Sequence, residues 1–373
     1  YIFVYDMNGN NLAFPAFPNL EGKNLLDWKD PQGTYIVHEV IKAARRGSGW
    51  IEYLLPKPAE SVSTKKSSFV SRAKMGEKWV AVGCGVYFAG APTLAPVKKK
   101  MTARELMALV REGATLLGKK GEAAFGELRQ KGSKWFHDEI YFFVWSRDGT
   151  RVLHVPDPSL EGRNATTTKD ILGRPYGKMI LEAADEAGGE GWVHYMYPEP
   201  GNIFPAWKST FVKRVKFPSG VERVVGCGLY HMQMDRAFIE DLVNRASALV
   251  EKQGRQAFPR LRDKTGPFVF MDTYVFVTSF DGTELVNAGF PSLEGHNLLD
   301  VKDLNGKSLV RDEIELAQKQ GKGWIEAYWY APGKNVPAFK QSYIRKVQVG
   351  GETFVVGSGV YLEQAGSTVK DES

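Results

Sequence analysis

The chain has 373 residues, long enough for two or three domains, and its 43% hydrophobic and 25% charged residues are ordinary for a globular protein. Disorder and a fibrous class are therefore excluded. The net charge of +6 favours anionic partners in general, but the basic residues are spread out, so we predict no nucleic-acid partner. No window approaches the roughly 20 apolar residues of a membrane helix, so we predict no transmembrane segment in this chain.

One pattern of landmarks occurs three times in the same order. Each copy opens with Y-x-F-V or a close variant and an Asx-Gly pair, continues with P-x-L-E-G-x-N, Lys-Asp and Gly-Trp, and closes on G-x-G-[VL]-Y. The opening tyrosines are Tyr1, Tyr141 and Tyr274, the tryptophans are Trp50, Trp192 and Trp324, and the closing tyrosines are Tyr87, Tyr230 and Tyr361. The distances between successive opening tyrosines are those of whole domains rather than of solenoid repeats. We predict three domains, at residues 1–100, 101–233 and 234–373.

Each copy predicts the same succession of elements. The alternating opening segment and its Asx-Gly pair predict two strands joined by a tight turn. An irregular loop follows, and then a short helix with apolar residues at helical spacing, near residues 36–44, 179–184 and 309–317. Three more strands complete the copy, predicted in the first copy at residues 50–55, 67–72 and 79–87. The predicted class is α+β, with one five-stranded, mostly antiparallel sheet per domain.

Long amphipathic helices are predicted before the second and third copies, at about residues 102–129 and 235–262. The first copy has no such helix in this chain. Since the sequence begins at Tyr1 within a strand segment, we expect the equivalent helix upstream of that residue, or an atypical first domain.

The ordered set of a long helix, the opening strand, P-x-L-E-G-x-N, Lys-Asp, Gly-Trp, a K-x-[ST]-[FY] strand and G-x-G-[VL]-Y resembles the single Cache domain. The resemblance covers nearly all of the chain in three passes and implies PAS-like domains. It implies an extracytoplasmic protein, periplasmic or extracellular, that binds a small metabolite, often a short organic acid, on one sheet face. It also implies a membrane receptor or kinase as a partner.

A lysine opens the K-x-[ST]-[FY] strand of every copy, with a hydroxyl residue two positions later. The lysines are Lys66, Lys208 and Lys340, and the hydroxyl residues are Ser68, Thr210 and Ser342. Residues two apart in a strand share a face, and a buried carboxylate needs a cation or several N–H donors. We predict that these pairs bind a ligand carboxylate. The alternative is an edge-strand lysine that limits aggregation.

Aromatic residues after Gly-Trp and before the lysine are predicted to form the pocket walls, where rings give shape and hydroxyls give direction. They are Tyr53 in the first copy, Tyr195, Tyr197 and Trp207 in the second, and Tyr328, Trp329 and Phe339 in the third. Core packing is the alternative for this set. The three Gly-Trp tryptophans, identical in all copies, are expected in the core.

Positions that differ between the copies predict different ligand specificities. Phe14, His154 and Asn287 are equivalent, and we predict His154 and Asn287 as ligand contacts. The second copy is the best equipped. The first copy has Lys65 where the others have an aromatic residue before the lysine, so its site is expected to be altered or lost.

Other chemistry leaves no sign in the sequence. Cys84 and Cys227 occupy the same position in two copies, and equivalent points of separate domains lie too far apart for a disulfide. We predict both as small core residues. The six histidines lack metal-ligand spacing, and no nucleotide-binding, hydrolase or metalloprotease motif occurs. We therefore predict no metal, no cofactor and no enzymatic activity.

Three functions stay open at this point, and the third is an enzyme, which a carboxylate dyad or a metal in a cleft would indicate. The first is capture or sensing of small anionic metabolites, by a free binding protein or a receptor ectodomain. The second is an interaction array, in which the copies are spacers and the basic surface docks an acidic protein. A melting temperature that rises with a short carboxylate favours the first, and a salt-sensitive protein complex without a ligand favours the second.

Overall fold

The computed structural model describes residues 1–58, 63–88, 101–186, 188–200, 203, 205–232 and 234–362. These residues belong to two compact units. The first comprises Tyr1–Lys100, Lys169–Gly173 and Met196–Lys208, and the second comprises Met101–Thr168, Arg174–Tyr195 and Ser209–Ser373. Each predicted copy contributes one five-stranded sheet, so the predicted α+β class is confirmed. The predicted domain boundaries after residues 100 and 233 fall on residues outside the described ranges and stay predictions.

The first copy has two short strands, a helix and three longer strands, as predicted. Its elements are β1 (Ile2–Asp6), β2 (Asn11–Ala13), α1 (Ile36–Arg45), β3 (Ser48–Pro56), β4 (Ser63–Met75) and β5 (Lys78–Tyr87). The strands lie in the order β2-β1-β5-β4-β3 and all neighbouring pairs are antiparallel. Gly9 of the Asx-Gly turn has a φ of 86°, which glycine adopts without steric cost. The turn therefore joins β1 and β2 as the sequence predicts.

The second copy repeats this order after a long helix. Its elements are α2 (Ala103–Lys120), α3 (Phe125–Leu128), β6 (Phe142–Ser146), β7 (Arg151–His154), α4 (Tyr176–Asp185), β8 (Glu190–Pro198), β9 (Pro205–Lys216) and β10 (Glu222–Tyr230). The strand order is β7-β6-β10-β9-β8, which matches the first sheet. A capping box of Thr102 and Glu105 begins α2 and satisfies backbone N–H groups that the first turn leaves without partners.

The third copy has the same architecture with an added two-stranded ribbon. Its elements are α5 (Arg236–Gln253), α6 (Phe258–Arg262), β11 (Val269–Phe270), β12 (Thr273–Tyr274), β13 (Phe276–Ser279), β14 (Glu284–Asn287), α7 (Leu309–Gln320), β15 (Lys322–Tyr330), β16 (Pro337–Val349) and β17 (Glu352–Leu362). The strand order is β14-β13-β17-β16-β15, and β11 pairs with β12. Three copies of the sequence pattern thus give three sheets of one topology.

The long helices are shorter than predicted. α2 ends at Lys120 and α5 at Gln253, because the next residues, Gly121 and Gly254, have φ angles of 58° and 56°. A right-handed helix cannot continue through a positive φ, and glycine is the residue that accepts it at least cost. Short 3-10 turns and the helices α3 and α6 follow. None of the helices in the described residues is long and apolar enough to cross a membrane.

The first glycine of G-x-G-[VL]-Y makes room for a phenylalanine of the opening strand. Gly83, Gly226 and Gly357 pair directly across the sheet with Phe3, Phe143 and Phe276. A Cβ atom on these glycines would lie 2.2, 2.4 and 2.3 Å from Cζ of the respective rings. The opening and closing motifs of each copy therefore require each other, because the ring occupies the volume that the glycine leaves.

Replacing Gly357 by alanine is expected to destabilise the third sheet by about 1–3 kcal/mol, the usual cost of overpacking a core. The new methyl group would lie 2.3 Å from Phe276 Cζ and 2.9 Å from Ile344 Cγ2. Amide hydrogen exchange of β17 in the full chain measures the loss. Gly126→Ala is the control, because space is open at that Cβ position in α3. Unchanged protection of β17 in Gly357→Ala would contradict the packing argument.

The outer face of the first sheet carries exposed apolar side chains. The prediction of a core position is right for Trp192, which is 2% exposed, and wrong for Trp50, which is 64% exposed. It is also right for Cys227 and wrong for Cys84, which is exposed. Trp50 and Cys84 share one row across the sheet with Phe69. No helix among the described residues of the first unit covers this row, which explains the exposure.

Candidate ligand-binding site

The predicted lysine of the first copy is fully buried on the inner face of its sheet. Lys66 lies on β4, which has β5 and β3 as neighbours, so the edge-strand alternative is wrong for this residue. Its Nζ donates a hydrogen bond of 2.7 Å to the Tyr1 hydroxyl and lies 3.9 Å from the centroid of the Tyr1 ring. The Tyr1 hydroxyl lies 2.8 Å from that of Tyr87, which donates to the carbonyl of Pro56 at 2.9 Å. An ammonium thus faces two linked phenol groups.

The third copy repeats this arrangement. Lys340 on β16 is 4% exposed, and its Nζ donates to the Tyr274 hydroxyl at 3.1 Å. The Tyr274 hydroxyl lies 3.2 Å from that of Tyr361, which donates to the Tyr330 carbonyl at 2.7 Å. The same three residue types therefore meet in two copies, and they come from the opening strand, the lysine strand and the closing strand.

Residues at the equivalent positions of the second copy are also buried. Lys208 is 1% exposed, and its Nζ lies 5.3 Å from the centroid of the Tyr197 ring. The hydroxyls of Tyr141 and Tyr230 lie 3.1 Å apart. Each lysine of the repeat is therefore inside the protein.

Burial disfavours the charged form of these lysines. Removal from water lowers the pKa of Lys66 to about 8 and also lowers the pKa of Lys340. An ammonium can donate three hydrogen bonds, yet in the described residues each of these two donates a single one, to a tyrosine. A carboxylate brought to either ammonium would accept hydrogen bonds from its remaining N–H groups.

The second glycine of G-x-G-[VL]-Y leaves space for the lysine side chain. A Cβ atom on Gly85 would lie 2.9 Å from Lys66 Cε and 2.1 Å from Ser68 Oγ, and a Cβ atom on Gly359 would lie 2.5 Å from Lys340 Cε. These contacts are too close for any larger residue. The closing motif therefore serves both the core and the site.

A tyrosine and a hydroxyl residue are in hydrogen-bond contact in the first two copies. Ser68 Oγ lies 2.8 Å from the Tyr53 hydroxyl, and Thr210 Oγ1 donates to the Tyr195 hydroxyl at 3.1 Å. The third copy has Ser342 and, at the place of the tyrosine, Ala327. The third copy therefore lacks the tyrosine that contacts the hydroxyl residue in the other two copies.

The third copy contains a cavity of about 30 Å³ that is partly open to solvent. This is room for roughly two water molecules. The side chains around it are Tyr274, Phe276, Glu284, Asn287, Leu298, Leu309, Val310, Glu313, Trp329, Lys340 and Ser342. Four of the residues predicted for the third site, Asn287, Trp329, Lys340 and Ser342, are in this set.

Two carboxyl groups line the cavity together with Lys340. Glu284 accepts hydrogen bonds of 2.7 Å from Thr278 Oγ1 and from Asn287 Nδ2, and burial raises its pKa to about 7. Glu313 on α7 is 3% exposed, and burial raises its pKa as well. Its carboxyl group has no hydrogen bond among the described residues. The site therefore contains one amine, one hydrogen-bonded carboxyl and one carboxyl without a donor.

The family model of the Cache domain matches residues 1–91, 130–258 and 231–373. The chain belongs to the Cache domain family. Each of the three matches includes one complete copy of the sheet, so the predicted resemblance is confirmed. In every Cache copy the buried lysine lies within the matched range.

Two proteins are similar to a part of this Cache chain. One is the sensor histidine kinase MctS of Rhizobium johnstonii, 40% identical over 88 residues, or 23% of this chain and 18% of that protein. The other is the methyl-accepting chemotaxis protein McpP of Pseudomonas putida, 27% identical over 25% of this chain and 16% of that protein. The chain therefore matches less than a fifth of either relative. A solved structure of a methyl-accepting chemotaxis protein from Vibrio parahaemolyticus is 25% identical, covering 34% of this chain and 86% of that one, with a TM-score of 0.30.

Not all predicted pocket residues lie on the lysine side of their Cache sheet. Phe339 and Tyr328 pair across β16 and β15, and their rings lie 5.6 Å apart. Alternate strand residues face opposite sides, so both point away from Lys340 and neither lines the cavity. Trp207 precedes Lys208 in the same way and is half-buried. Alternation along the strands, counted from the lysine, would have shown in the sequence that these residues lie on the opposite face from Trp329.

His154 and its surroundings lie within the second unit. The residue is 6% exposed, its ring lies 5.6 Å from that of Tyr141, and its Nδ1 lies 3.2 Å from the Asp157 carbonyl. His154 therefore borders one tyrosine of the repeated pair. Its role as a ligand contact stays a prediction.

Sequence reasoning missed the tyrosine pair and the two buried glutamates. Tyr1 and Tyr87, with their equivalents, served as landmarks of the repeat and were not predicted in the site, although an identical pair of hydroxyls in all copies was a usable signal. Glu284 was detectable as well, because its equivalents are Asn11 and Arg151. This position changes its charge from copy to copy.

Proposed function

We propose that the chain is an extracytoplasmic sensing or capture protein whose tandem Cache domains bind small carboxylate metabolites at the buried lysines. The observation that carries the proposal is the repeated contact of a buried ammonium with a tyrosine hydroxyl, at Lys66 with Tyr1 and at Lys340 with Tyr274. Burial of an ammonium is costly without a counter-charge. Lys66, whose described contacts are with aromatic residues, is therefore suited to an anion that arrives from outside.

The two tyrosines and the hydroxyl residue add direction to this attraction. The linked hydroxyls of Tyr1 and Tyr87 lie beside Lys66, so a carboxylate there could accept hydrogen bonds from both the amine and a phenol. Charge-assisted bonds of this kind are short and strong. We propose the same role for Lys208 and Lys340, with Ser68, Thr210 and Ser342 completing the polar side of each pocket.

Aromatic walls in this proposal differ between the copies. They are Tyr53 in the first domain, Tyr195 and Tyr197 in the second, and Trp329 in the third. Trp207, Tyr328 and Phe339 are left out because they face away from the lysine or precede it in the strand.

We further propose that a membrane receptor or a kinase receives the signal, since the relatives named above are a chemotaxis protein and a sensor kinase. The domain boundaries proposed are those of the sequence, at residues 1–100, 101–233 and 234–373.

Single lysine variants test the proposal. We expect isothermal titration of the full chain with acetate, propionate and lactate to show binding that depends on the buried lysines. Each single variant is expected to weaken binding at one site by about tenfold or more, because a charge-assisted hydrogen bond is lost. The variants are Lys66→Met, Lys208→Met and Lys340→Met. Lys65→Met is the matched control, since Lys65 is a neighbouring exposed lysine that pairs with Glu52.

Identical titrations for wild type and all three variants would refute the lysine assignment. Absence of binding by every acid, together with a salt-sensitive complex of the chain with an acidic protein, would instead support the interaction array. The two functions thus give opposite results in one set of measurements.

A further inference from the structure

We propose that the third pocket selects a ligand with an ammonium group beside its carboxylate, a small amino acid, and that Glu313 receives the ammonium. The inference rests on the proposed function, because it assigns the carboxylate to Lys340. It goes further in separating the third domain from the other two by the charge of its ligand.

The third pocket differs from the others in acidic residues. At the same distance from the Lys-Asp pair, the helix of each copy carries Val40, Ile180 and Glu313. After the Asx-Gly turn, the equivalent residues are Asn11, Arg151 and Glu284. The third copy alone has a carboxyl group at either position, and it has one at both. Two acidic residues thus replace residues that are apolar, neutral or basic elsewhere.

Glu313 is the acidic group that still lacks a partner. Both oxygens of Glu284 accept hydrogen bonds within the protein, from Thr278 and Asn287. Glu313 is 3% exposed and lines the cavity. Its carboxyl group accepts no hydrogen bond among the described residues. A carboxyl group in this state is costly to bury. A ligand N–H donor that enters the cavity would remove that cost.

The charge around the cavity also argues for an ammonium. Glu284, Glu313 and Lys340 are its acidic and basic lining residues, so a ligand with only a carboxylate would bring a third acidic group to a single amine. A ligand with both groups adds no net charge. Its carboxylate can lie at Lys340 while its ammonium lies at Glu313, because both residues border the same space.

The size of the space sets the class of amino acid. The cavity measures about 30 Å³, room for roughly two water molecules, so even the smallest ligands enter only when lining side chains move. Leu298, Leu309 and Val310 also line it and suit a short aliphatic side chain. Alanine is therefore the natural probe, with propionate as the same molecule without the amine and ethylamine as the same molecule without the carboxylate.

The experiment uses the full chain with Lys66→Met and Lys208→Met, which leaves the third lysine in place. We expect isothermal titration to show that alanine binds more tightly than propionate or ethylamine. Glu313→Gln is expected to weaken the binding of alanine by about tenfold or more, because a charge-assisted hydrogen bond is lost. The binding of propionate is expected to stay unchanged. Glu315→Gln is the control, because Glu315 lies on the same helix and is exposed.

A second substitution at Glu313 tests the same role independently of the first. Glu313→Val introduces the residue that the first copy has at this position, Val40, and is expected to make propionate the better ligand. The inference is overturned if alanine binds Glu313→Gln as it binds the parent, or if propionate binds the parent at least as tightly as alanine. Binding of neither probe here, with propionate bound by the wild type through Lys66 or Lys208, overturns the inference and leaves the proposed function intact. No binding by any pocket overturns the proposed function.

Discussion

Replacement of Trp192 by alanine is expected to lower the stability of the second sheet by about 3–5 kcal/mol, the usual cost of removing a buried tryptophan. Trp192 is 2% exposed, and its ring lies 5.1 Å from that of Phe211 and 4.6 Å from that of Phe238 on α5. Loss of the indole leaves a cavity between the sheet and the helix. Amide hydrogen exchange of β8 and β9 in the full chain measures the effect.

The equivalent residue of the first copy provides the control. Trp50 is 64% exposed and contacts the half-exposed ring of Phe69 at 5.4 Å, so Trp50→Ala is expected to cost less than about 1 kcal/mol. One motif position thus gives opposite outcomes in two copies. Equal losses at Trp50 and Trp192 would show that the outer face of the first sheet is covered in the protein in solution.

Lys66→Met is expected to abolish carboxylate binding at the first site and, at pH 7, to stabilise the ligand-free protein by about 1–3 kcal/mol. Burial lowers the pKa of Lys66 from 10.5 to about 8, so the folded state binds the proton less tightly than the unfolded state does. Below pH 8 both states are charged, and the folded protein bears the full cost of the buried charge. Methionine removes the charge and keeps most of the packing volume.

The pH dependence identifies the cause of this gain. As the pH rises from about 8 to 10.5, the folded state loses the proton while the unfolded state keeps it, so the wild type becomes more stable relative to Lys66→Met. The difference in the free energy of unfolding between the two proteins should therefore shrink across this interval. A difference that stays constant with pH would mean that packing rather than charge is responsible. Lys65→Met, at an exposed residue, is expected to show neither effect.

Most of the fold was predictable because the repeat supplies three independent samples of one pattern. The strand, turn and short-helix assignments agree with the structure to within a few residues for the first copy. The ends of the long helices were not predicted, since the amphipathic pattern continues past Gly121 and Gly254 while the backbone does not. Periodicity reports which side is apolar, and it is insensitive to a single residue with a positive φ.

The candidate site was predicted less completely. Lys66, Lys208 and Lys340 are all buried, as a role in ligand binding requires. The sequence could indicate them because a lysine and a hydroxyl residue two positions apart in a strand lie on the same face. The tyrosines come from strands that are distant in sequence, so only the order of the strands brings them to the lysine. Glu313 illustrates the same limit, since nothing within its own helix shows that it meets Lys340 across the domain.

The hydrogen-bonded tyrosine pairs have a consequence for how such chains grow. In each copy the pair joins the residue that starts the opening strand to the residue near the end of the closing strand, as Tyr1 and Tyr87 show. The start of the opening strand and the end of the closing strand are therefore held together within each sheet. A gene duplication that adds or removes a whole copy therefore carries both residues of this link with it and leaves the other sheets unchanged.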